Sequence, residues 1–324
     1  RLNEGIWLAM MGHVFKEQGH YEGALEHYQL SLDIVRTLDD RRAEGTCLSS
    51  MGNVHNDQGR YEEALKHYEQ ALGIAQDIGD RHNEAKVLSN MGLVYCDQGR
   101  FTYALAQYEN ALDIVHELGD KRGESCTLAN MGNVHSELGR YGGALAYYQR
   151  SLDIAHDLGD TRGECIALTN MGNVHRYQGR VEDALDHYRR AFRRAGDLGD
   201  RRFEGVILGN MGNLYCDRKL YEDALTHYGL SLQIARDLGD RRNEGIWLSK
   251  VALVQGERGL YAEALEHSRS ALHIARAVGE RQLEGERLST IGQTLRMSGD
   301  LGEALAHQSD ALLKFIKNKY DWET

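Results

Sequence analysis

The chain lacks the features that mark several large classes of protein. None of its apolar runs is long enough to cross a lipid bilayer, so the sequence predicts a soluble protein with no membrane partner. Its five cysteines form no C-x-x-C pair, which argues against a zinc site and against a disulfide framework. The GxxxxGK[ST], HExxH and GxSxG motifs are also missing. Together these absences predict a non-catalytic protein that holds neither a metal nor a cofactor.

The chain also has no excess of basic residues. Lys and Arg number 38 against 49 Asp and Glu, which gives a net charge of −11. A general nucleic-acid binder carries the opposite charge, so recognition of RNA or DNA is disfavoured. A protein or peptide partner of basic or mixed charge fits this balance better.

The cysteines and the first residue bear on the origin of the chain. Unpaired thiols and the absence of a signal-peptide pattern indicate a reducing compartment, and we expect a cytoplasmic protein. Residue 1 is Arg rather than Met, and the first repeat begins with no polar segment before it. We therefore expect this chain to be part of a longer protein.

What the chain does contain is a period of forty residues. Segments that begin at Met51, Met91 and Met131 repeat the same residue types without insertion or deletion. Such a period is typical of an array in which each unit contacts only its neighbours. The sequence predicts a single array over residues 1–320, with units 1–40, 41–80, 81–120, 121–160, 161–200, 201–240, 241–280 and 281–320, and a tail of residues 321–324.

The second unit shows why each unit should be a pair of helices. Leu48, Met51, Gly52 and His55 recur at helical spacing, and Gly59 can then turn the chain. A second helical stripe runs from Tyr61 to Ile78. Gly79 and Asp80 should end that helix and cap the next one, and Glu84 should favour the next helix through its dipole.

Columns of small residues indicate close contact between the two helices. Ala recurs in the second helix at residues 24, 64, 104, 144, 184, 224, 264 and 304, and Gly recurs in the first helix at 12, 52, 92, 132, 172 and 212. Glycine inside a helix costs about 1 kcal/mol relative to alanine, so its recurrence implies a packing requirement. Two leucine columns, from Leu8 to Leu288 and from Leu25 to Leu305, should fill the remaining space.

These residues resemble the tetratricopeptide repeat (TPR), with Leu and Gly in the first helix and Ala, an aromatic residue and Ala in the second. Ala64, Tyr68 and Ala71 carry the second-helix part of the signature. Two departures are the unit length, 40 residues instead of 34, and the absence of proline. The longer form resembles the repeats of Pins-type adaptors, kinesin light chains and bacterial sensor proteins.

The resemblance implies an all-α fold, a right-handed α-solenoid or superhelix of eight helix-turn-helix units. It also implies that the first helices line a concave groove that binds a peptide or protein segment. The function predicted first is therefore that of a non-catalytic interaction scaffold. The alternative is the sensor arm of a larger enzyme, such as a CHAT-type protease or a signal-transduction NTPase. The solenoid ends could also support weak self-association.

Asparagines form the main candidate binding site. One column holds Asn53, Asn133, Asn173 and Asn213, and a second, three residues earlier, holds Asn90, Asn130, Asn170 and Asn210. Two amides three residues apart share one helical face and can hold the backbone of an extended peptide. The alternative is that they bond across adjacent helices, and we favour ligand binding only for the column of Asn133, Asn173 and Asn213.

Other residues modify this predicted groove. Leu93 and Leu253 replace Asn with apolar surface, which suits a peptide with spaced apolar anchors. Arg176 and Tyr177 add a cation and an aromatic ring to the fifth unit. Among the fifteen histidines, one column shares its position with Phe15, Tyr95 and Tyr215, so we interpret it as ring packing. A second column, which includes His27 and His67, is interpreted as exposed, and no metal site is predicted.

The ends of the array differ from its middle. Ala252 replaces the recurrent Gly, and Ser268 and Gln308 replace the recurrent Tyr. Terminal units face water, so such drift is expected. In the tail, Tyr320 and Trp322 could fold back over the last helix.

Overall fold

Helices joined by short turns make up the part of the chain whose structure is described. The computed structural model describes residues 2–278 and 281–320, with side chains for residues 3–278 and 283–313. These residues form sixteen α-helices and no strand, which confirms the prediction of an all-α repeat fold. The handedness of the superhelix stays a prediction. The tail residue Trp322 and the side chain of Tyr320 lie outside the described residues.

The fold divides into two compact units, Arg1–Ile154 and Ala155–Thr324. The first unit contains α1 (Leu2–Glu17), α2 (Tyr21–Thr37), α3 (Arg41–Asp57), α4 (Tyr61–Asp77), α5 (Arg81–Asp97), α6 (Phe101–Glu117), α7 (Lys121–Glu137) and most of α8 (Tyr141–Asp157). The second unit contains α9 (Thr161–Tyr177), α10 (Val181–Leu198), α11 (Arg201–Asp217), α12 (Tyr221–Asp237), α13 (Arg241–Glu257), α14 (Tyr261–Val278), α15 (Arg281–Ser298) and α16 (Leu301–Tyr320). The prediction of a single array over residues 1–320, with a tail of residues 321–324, stays a prediction.

The predicted caps and turns explain where the helices begin and end. Asp80 accepts a hydrogen bond from the backbone N–H of Asn83 at 3.2 Å, so it caps α5. Gly59 and Gly79 lie in the left-handed region, with φ of 76° and 67°, and end α3 and α4. The aspartates that precede α3, α7, α9, α11 and α13 form the same cap: Asp40, Asp120, Asp160, Asp200 and Asp240.

A buried glutamate follows each of these caps by four residues. Glu44 accepts hydrogen bonds from Arg36 at 2.9 Å and from Arg41 at 2.6 Å, so its charge is paired although it is buried. The two arginines hold the pKa of Glu44 below its ordinary value, despite the opposing effect of burial. The same position is buried in five further repeats, at Glu84, Glu124, Glu164, Glu204 and Glu244.

The recurrent glycines give room to a tyrosine ring. A Cβ atom on Gly52 would lie 2.7 Å from Cε1 of Tyr68, and one on Gly172 would lie 2.6 Å from Cε1 of Tyr188. The predicted packing requirement is thus confirmed, but the partner that approaches the glycine is a ring of the second helix. The column of alanines in the second helices is buried throughout.

The two leucine columns differ in burial. Leu48, Leu88 and Leu128 of the first column are buried, as predicted. In the second column, Leu65 and Leu185 are buried, whereas Leu305 is 67% exposed. The prediction was wrong for Leu305 because no helix after α16 covers it in the described part of the chain.

Candidate functional site

The first asparagine column lies where a first helix meets the tyrosine of its own repeat. The hydroxyl of Tyr68 donates to Oδ1 of Asn53 at 2.6 Å. The same bond recurs at 2.7 to 2.8 Å in three other repeats, Tyr148 to Asn133, Tyr188 to Asn173 and Tyr228 to Asn213. Glycine, tyrosine and asparagine therefore form one packed group in each of these repeats.

Burial keeps the tyrosine hydroxyls protonated and able to donate. Each of the rings of Tyr68, Tyr188 and Tyr228 is almost completely buried. Removal from water disfavours the phenolate, and it raises the pKa of these hydroxyls far above its ordinary value. The Oδ1 atom of each asparagine partner is consequently committed to the scaffold.

Contacts of the second asparagine column are weaker. Nδ2 of Asn90 donates to Oδ1 of Asn53 at 3.2 Å, which links α5 to α3 across a repeat boundary. In the second unit, Nδ2 of Asn213 lies 3.5 Å from Oδ1 of Asn210. Asn130 and Asn170 are half-buried on α7 and α9. The structure thus contains the bracing interactions that the sequence left open as the alternative.

A groove between α3 and α5 brings two of the predicted site residues together. Its volume is about 210 Å³, and Asn53, Asn90, Ser49 and Ser50 are among the residues that line it. The exposed Lys86 stands beside it, on α5. We call it the α3–α5 groove. It combines amide and hydroxyl groups with small side chains, which allow a ligand backbone to come close.

The other predicted site residues are placed as follows. Leu93 is 48% exposed on α5, so it offers apolar surface. Tyr177 is 51% exposed at the end of α9, and its ring lies under the guanidinium of Arg176 at 4.5 Å. Nη1 of Arg176 also donates to Asp217 at 2.6 Å, so its charge is already paired.

The histidine columns pack against each other as flat rings. Ring centroids lie 4.8 to 5.6 Å apart in the pairs Phe15–His27, His55–His67, Tyr95–Tyr103, His135–Tyr147, His175–His187 and Tyr215–His227. Ring packing is confirmed for the first column. The interpretation of the second column as simply exposed was wrong, because its rings cover those of the first. Among the described residues, no group of three His, Cys, Asp or Glu side chains is arranged to hold a metal ion.

Ion pairs link consecutive repeats near the capping aspartates. Arg42 donates to Asp80 at 2.6 Å, and Arg202 lies 3.0 Å from Asp240. The pKa of Asp80 is lowered, chiefly by the hydrogen bond from Arg42. The predicted capping by Asp80 is confirmed, and ion pairs between consecutive repeats accompany it. Glu84 was predicted only to favour its helix through the dipole, and the burial of this column was missed, although a glutamate recurs in all eight repeats at residues 4, 44, 84, 124, 164, 204, 244 and 284.

Comparison with known families agrees with this geometry. The tetratricopeptide repeat family matches residues 4–77, 83–157, 124–197, 163–237, 203–277 and 243–312. The chain belongs to the tetratricopeptide repeat family. No curated protein sequence matches it. Within the described residues of this TPR chain, no helix is both long enough and apolar enough to cross a membrane.

Solved structures share the TPR fold at low sequence identity. A signal transduction ATPase (STAND protein) with a tetratricopeptide repeat sensor from Pyrococcus horikoshii is 17% identical, with a TM-score of 0.60. The match covers 93% of this chain but only 44% of that protein. Aspartyl phosphate phosphatase F from Bacillus subtilis is 14% identical over 92% of this chain and 79% of its own, with a TM-score of 0.66.

The quorum sensor NprR from B. thuringiensis is a further structural relative. It is 14% identical over 96% of this chain and 87% of its own, with a TM-score of 0.63. At these identities the likeness establishes the fold alone. This likeness confirms the α-helical repeat solenoid.

Proposed function

We propose that this TPR array binds a peptide or protein segment along its first helices and carries out no chemistry of its own. The observation that supports the proposal is the α3–α5 groove, which contains Asn53 and Asn90 among small, hydroxyl-bearing residues. Amide groups and serine hydroxyls can hydrogen-bond the backbone of an extended segment whatever its side chains are.

The two polar atoms of the Asn53 side chain have different roles in this proposal. Its Oδ1 atom accepts from Tyr68 and from Asn90, so this oxygen braces the helices. The proposed ligand contact is made by the Nδ2 donor, to a backbone carbonyl of the bound segment. The same role is proposed for Asn133, Asn173 and Asn213, and more weakly for Asn130, Asn170 and Asn210.

Apolar side chains would add selectivity in each compact unit. In the first unit, Leu93 presents half of its surface to solvent, and in the second unit Tyr177 does the same. Each can take up an apolar side chain of the bound segment. Arg176 would act by holding the Tyr177 ring in place, since its own charge is paired with Asp217.

Photo-crosslinking tests the proposal. Benzoylphenylalanine is placed at Lys86, beside the α3–α5 groove, or as a matched control at the exposed Glu69 on α4, and each protein is irradiated in an extract of its source organism. We expect a protein to crosslink from residue 86 and not from residue 69. Equal crosslinking from both positions, or none from residue 86, contradicts the proposal.

A second change separates ligand binding from bracing. Asn53→Asp keeps an oxygen for the Tyr68 hydroxyl but removes the Nδ2 donor, so it should abolish the crosslink without lowering the melting temperature. Tyr68→Phe removes the hydroxyl that braces the helices but leaves the Asn53 amide. It should therefore lower the melting temperature and keep the crosslink. If Asn53→Asp leaves crosslinking unchanged, Asn53 belongs to the scaffold alone.

The sensor arm of a larger signalling enzyme is the second candidate function. It is favoured by the likeness to a STAND protein whose tetratricopeptide repeats are described as its sensor. This proposal is tested on the full-length protein from the complete reading frame. An ATPase or protease domain whose activity changes when the array binds its partner would support it, and a reading frame without an effector domain would contradict it.

A further inference from the structure

Helix α10 departs from the pattern of the other second helices most clearly at residues 189–194, which read RRAFRR. Phe192 stands where every other repeat has Leu, and Arg193 stands where three repeats have Asp, at residues 33, 113 and 153. Since the other repeats form the same helix without these residues, the fold does not require them. Four arginines in six residues also repel one another, which calls for a compensating charge.

Two of the four arginines have such a charge within the protein. Arg194 lies 2.9 Å from the buried Glu164, and Arg190 lies 3.7 Å from Asp186. Arg189 and Arg193 are exposed, and within the described part of the chain neither forms an ion pair. Nε of Arg193 reaches only the backbone oxygen of Arg189, at 3.4 Å.

The two unpaired arginines stand over an apolar groove. Its volume is about 600 Å³, and Leu185, Phe192, Leu208 and Met211 are among its lining residues, with Arg189 and Arg193. We call it the α10 groove. Phe192 and Leu208 are half-buried, so their part of the apolar floor remains accessible beside the two cations, while Leu185 and Met211 are buried beneath it.

We propose that the α10 groove binds an acidic peptide segment that carries a bulky apolar side chain. Carboxylates of the segment pair with Arg189 and Arg193, whose planar guanidinium groups suit carboxylate oxygens. The apolar side chain rests on Phe192, Leu208 and Met211. The site uses none of the residues of the α3–α5 groove, so it does not depend on the function proposed above.

Charge complementarity selects a protein ligand over a nucleic acid. Binding to a phosphate backbone gains its free energy from many cations along the strand. Here two unpaired arginines stand in a chain whose net charge is −11. Two cations beside a floor of Leu, Met and Phe match a short acidic and apolar segment instead.

Fluorescence anisotropy with a defined probe tests this proposal. The probe is a fluorescein-labelled random copolymer of glutamate and tyrosine, and labelled polyglutamate of the same length is the comparison. We expect the copolymer to bind more tightly than polyglutamate. Arg189→Glu with Arg193→Glu should weaken copolymer binding by about tenfold or more, because repulsion replaces two charge-assisted contacts.

Two further variants make the test specific. Arg150→Glu with Arg269→Glu changes the net charge equally at exposed positions on α8 and α14, and it should alter binding less than about twofold. Phe192→Leu restores the residue of the other repeats and should reduce the preference for the copolymer over polyglutamate, because the aromatic part of the floor is lost. Equal losses in the two double variants, an unchanged preference in Phe192→Leu, or stronger binding of labelled polyuridylate would overturn the proposal.

Discussion

At the scale of single residues, the contact between glycine and tyrosine explains several recurrent positions at once. Gly52 leaves room for the ring of Tyr68, and the ring then delivers its hydroxyl to Asn53. The seventh repeat supports this interpretation, because Gly becomes Ala252 where Tyr becomes Ser268, and both residues are buried. A smaller partner in the second helix thus accompanies a larger residue in the first.

The first prediction compares two glycines of the same repeat. Gly52→Ala should destabilise the protein by about 1–3 kcal/mol, because the added methyl group meets a rigid ring in a packed interior. Gly73, on α4, has no atom within 4 Å of an added Cβ. Gly73→Ala should therefore stabilise the protein by up to about 1 kcal/mol through helix propensity. Urea unfolding followed by circular dichroism measures both.

The two substitutions are expected to change the free energy of unfolding in opposite directions. If both substitutions stabilise the protein, the ring of Tyr68 can move at little cost, and the glycine column has no packing role. If both destabilise it, the helix α4 requires Gly73 for a reason that its surroundings do not show.

At the scale of helices, paired rings join the first and second helix of a repeat. His175 on α9 packs on His187 of α10, with centroids 4.9 Å apart. The ring of His175 is buried, and this burial lowers its pKa from 6.5. The next repeat forms the same contact with a tyrosine, since Tyr215 packs on His227 at 4.9 Å.

The second prediction concerns pH. Because the folded protein disfavours protonated His175, the unfolded chain takes up this proton first, and stability is lost as the pH falls below 6.5. His175→Tyr copies the contact of the next repeat and should reduce this loss between about pH 7 and pH 5. Urea unfolding across that range measures it.

His273→Tyr provides the matched control for this measurement. His273 is exposed on α14, so it meets water in both the folded and the unfolded state. Its replacement should leave the pH dependence of stability unchanged. An equal effect of the two substitutions would show that the burial of His175 has no part in the acid sensitivity.

At the scale of the whole molecule, the forty-residue period makes the repeats interchangeable in principle. In the first unit, each of the helices α1 to α6 contacts the helix that follows it, and the first helices of neighbouring repeats, α1 with α3, α3 with α5 and α5 with α7, are in weaker contact. Stability in such an array is close to a sum over repeats and their neighbouring interfaces. A complete repeat should therefore be removable, whereas a single helix should not.

The third prediction tests this with two deletions. Removing residues 81–120 joins the second repeat to the fourth at an equivalent position, so the product should remain helical and unfold cooperatively with lower stability. Removing residues 81–100 instead leaves α6 without the helix that covers its apolar face. Circular dichroism and urea unfolding should show a folded protein in the first case and loss of cooperative unfolding in the second. Two equally folded products would contradict the modular description.

Much of the fold and part of the site were predictable from the chain. The period predicted the helix pairs, and Gly79 with Asp80 predicted a helix end and a cap. The asparagine columns were located, but their bonds to tyrosine were not. Asn53 and Tyr68 are fifteen residues apart on different helices, and they meet only because glycine allows the ring to approach.

Local sequence decided the period, the helices and their caps, because those depend on residues within a few positions of one another. Burial depended on which helix lies next to a residue. The hexapeptide NEGIWL occurs at residues 3–8 and again at 243–248. Trp247 is 6% exposed because it packs on Gly209 and Tyr228 of the preceding repeat. Trp7, in the same six residues, is 65% exposed, since no helix of the described chain covers it.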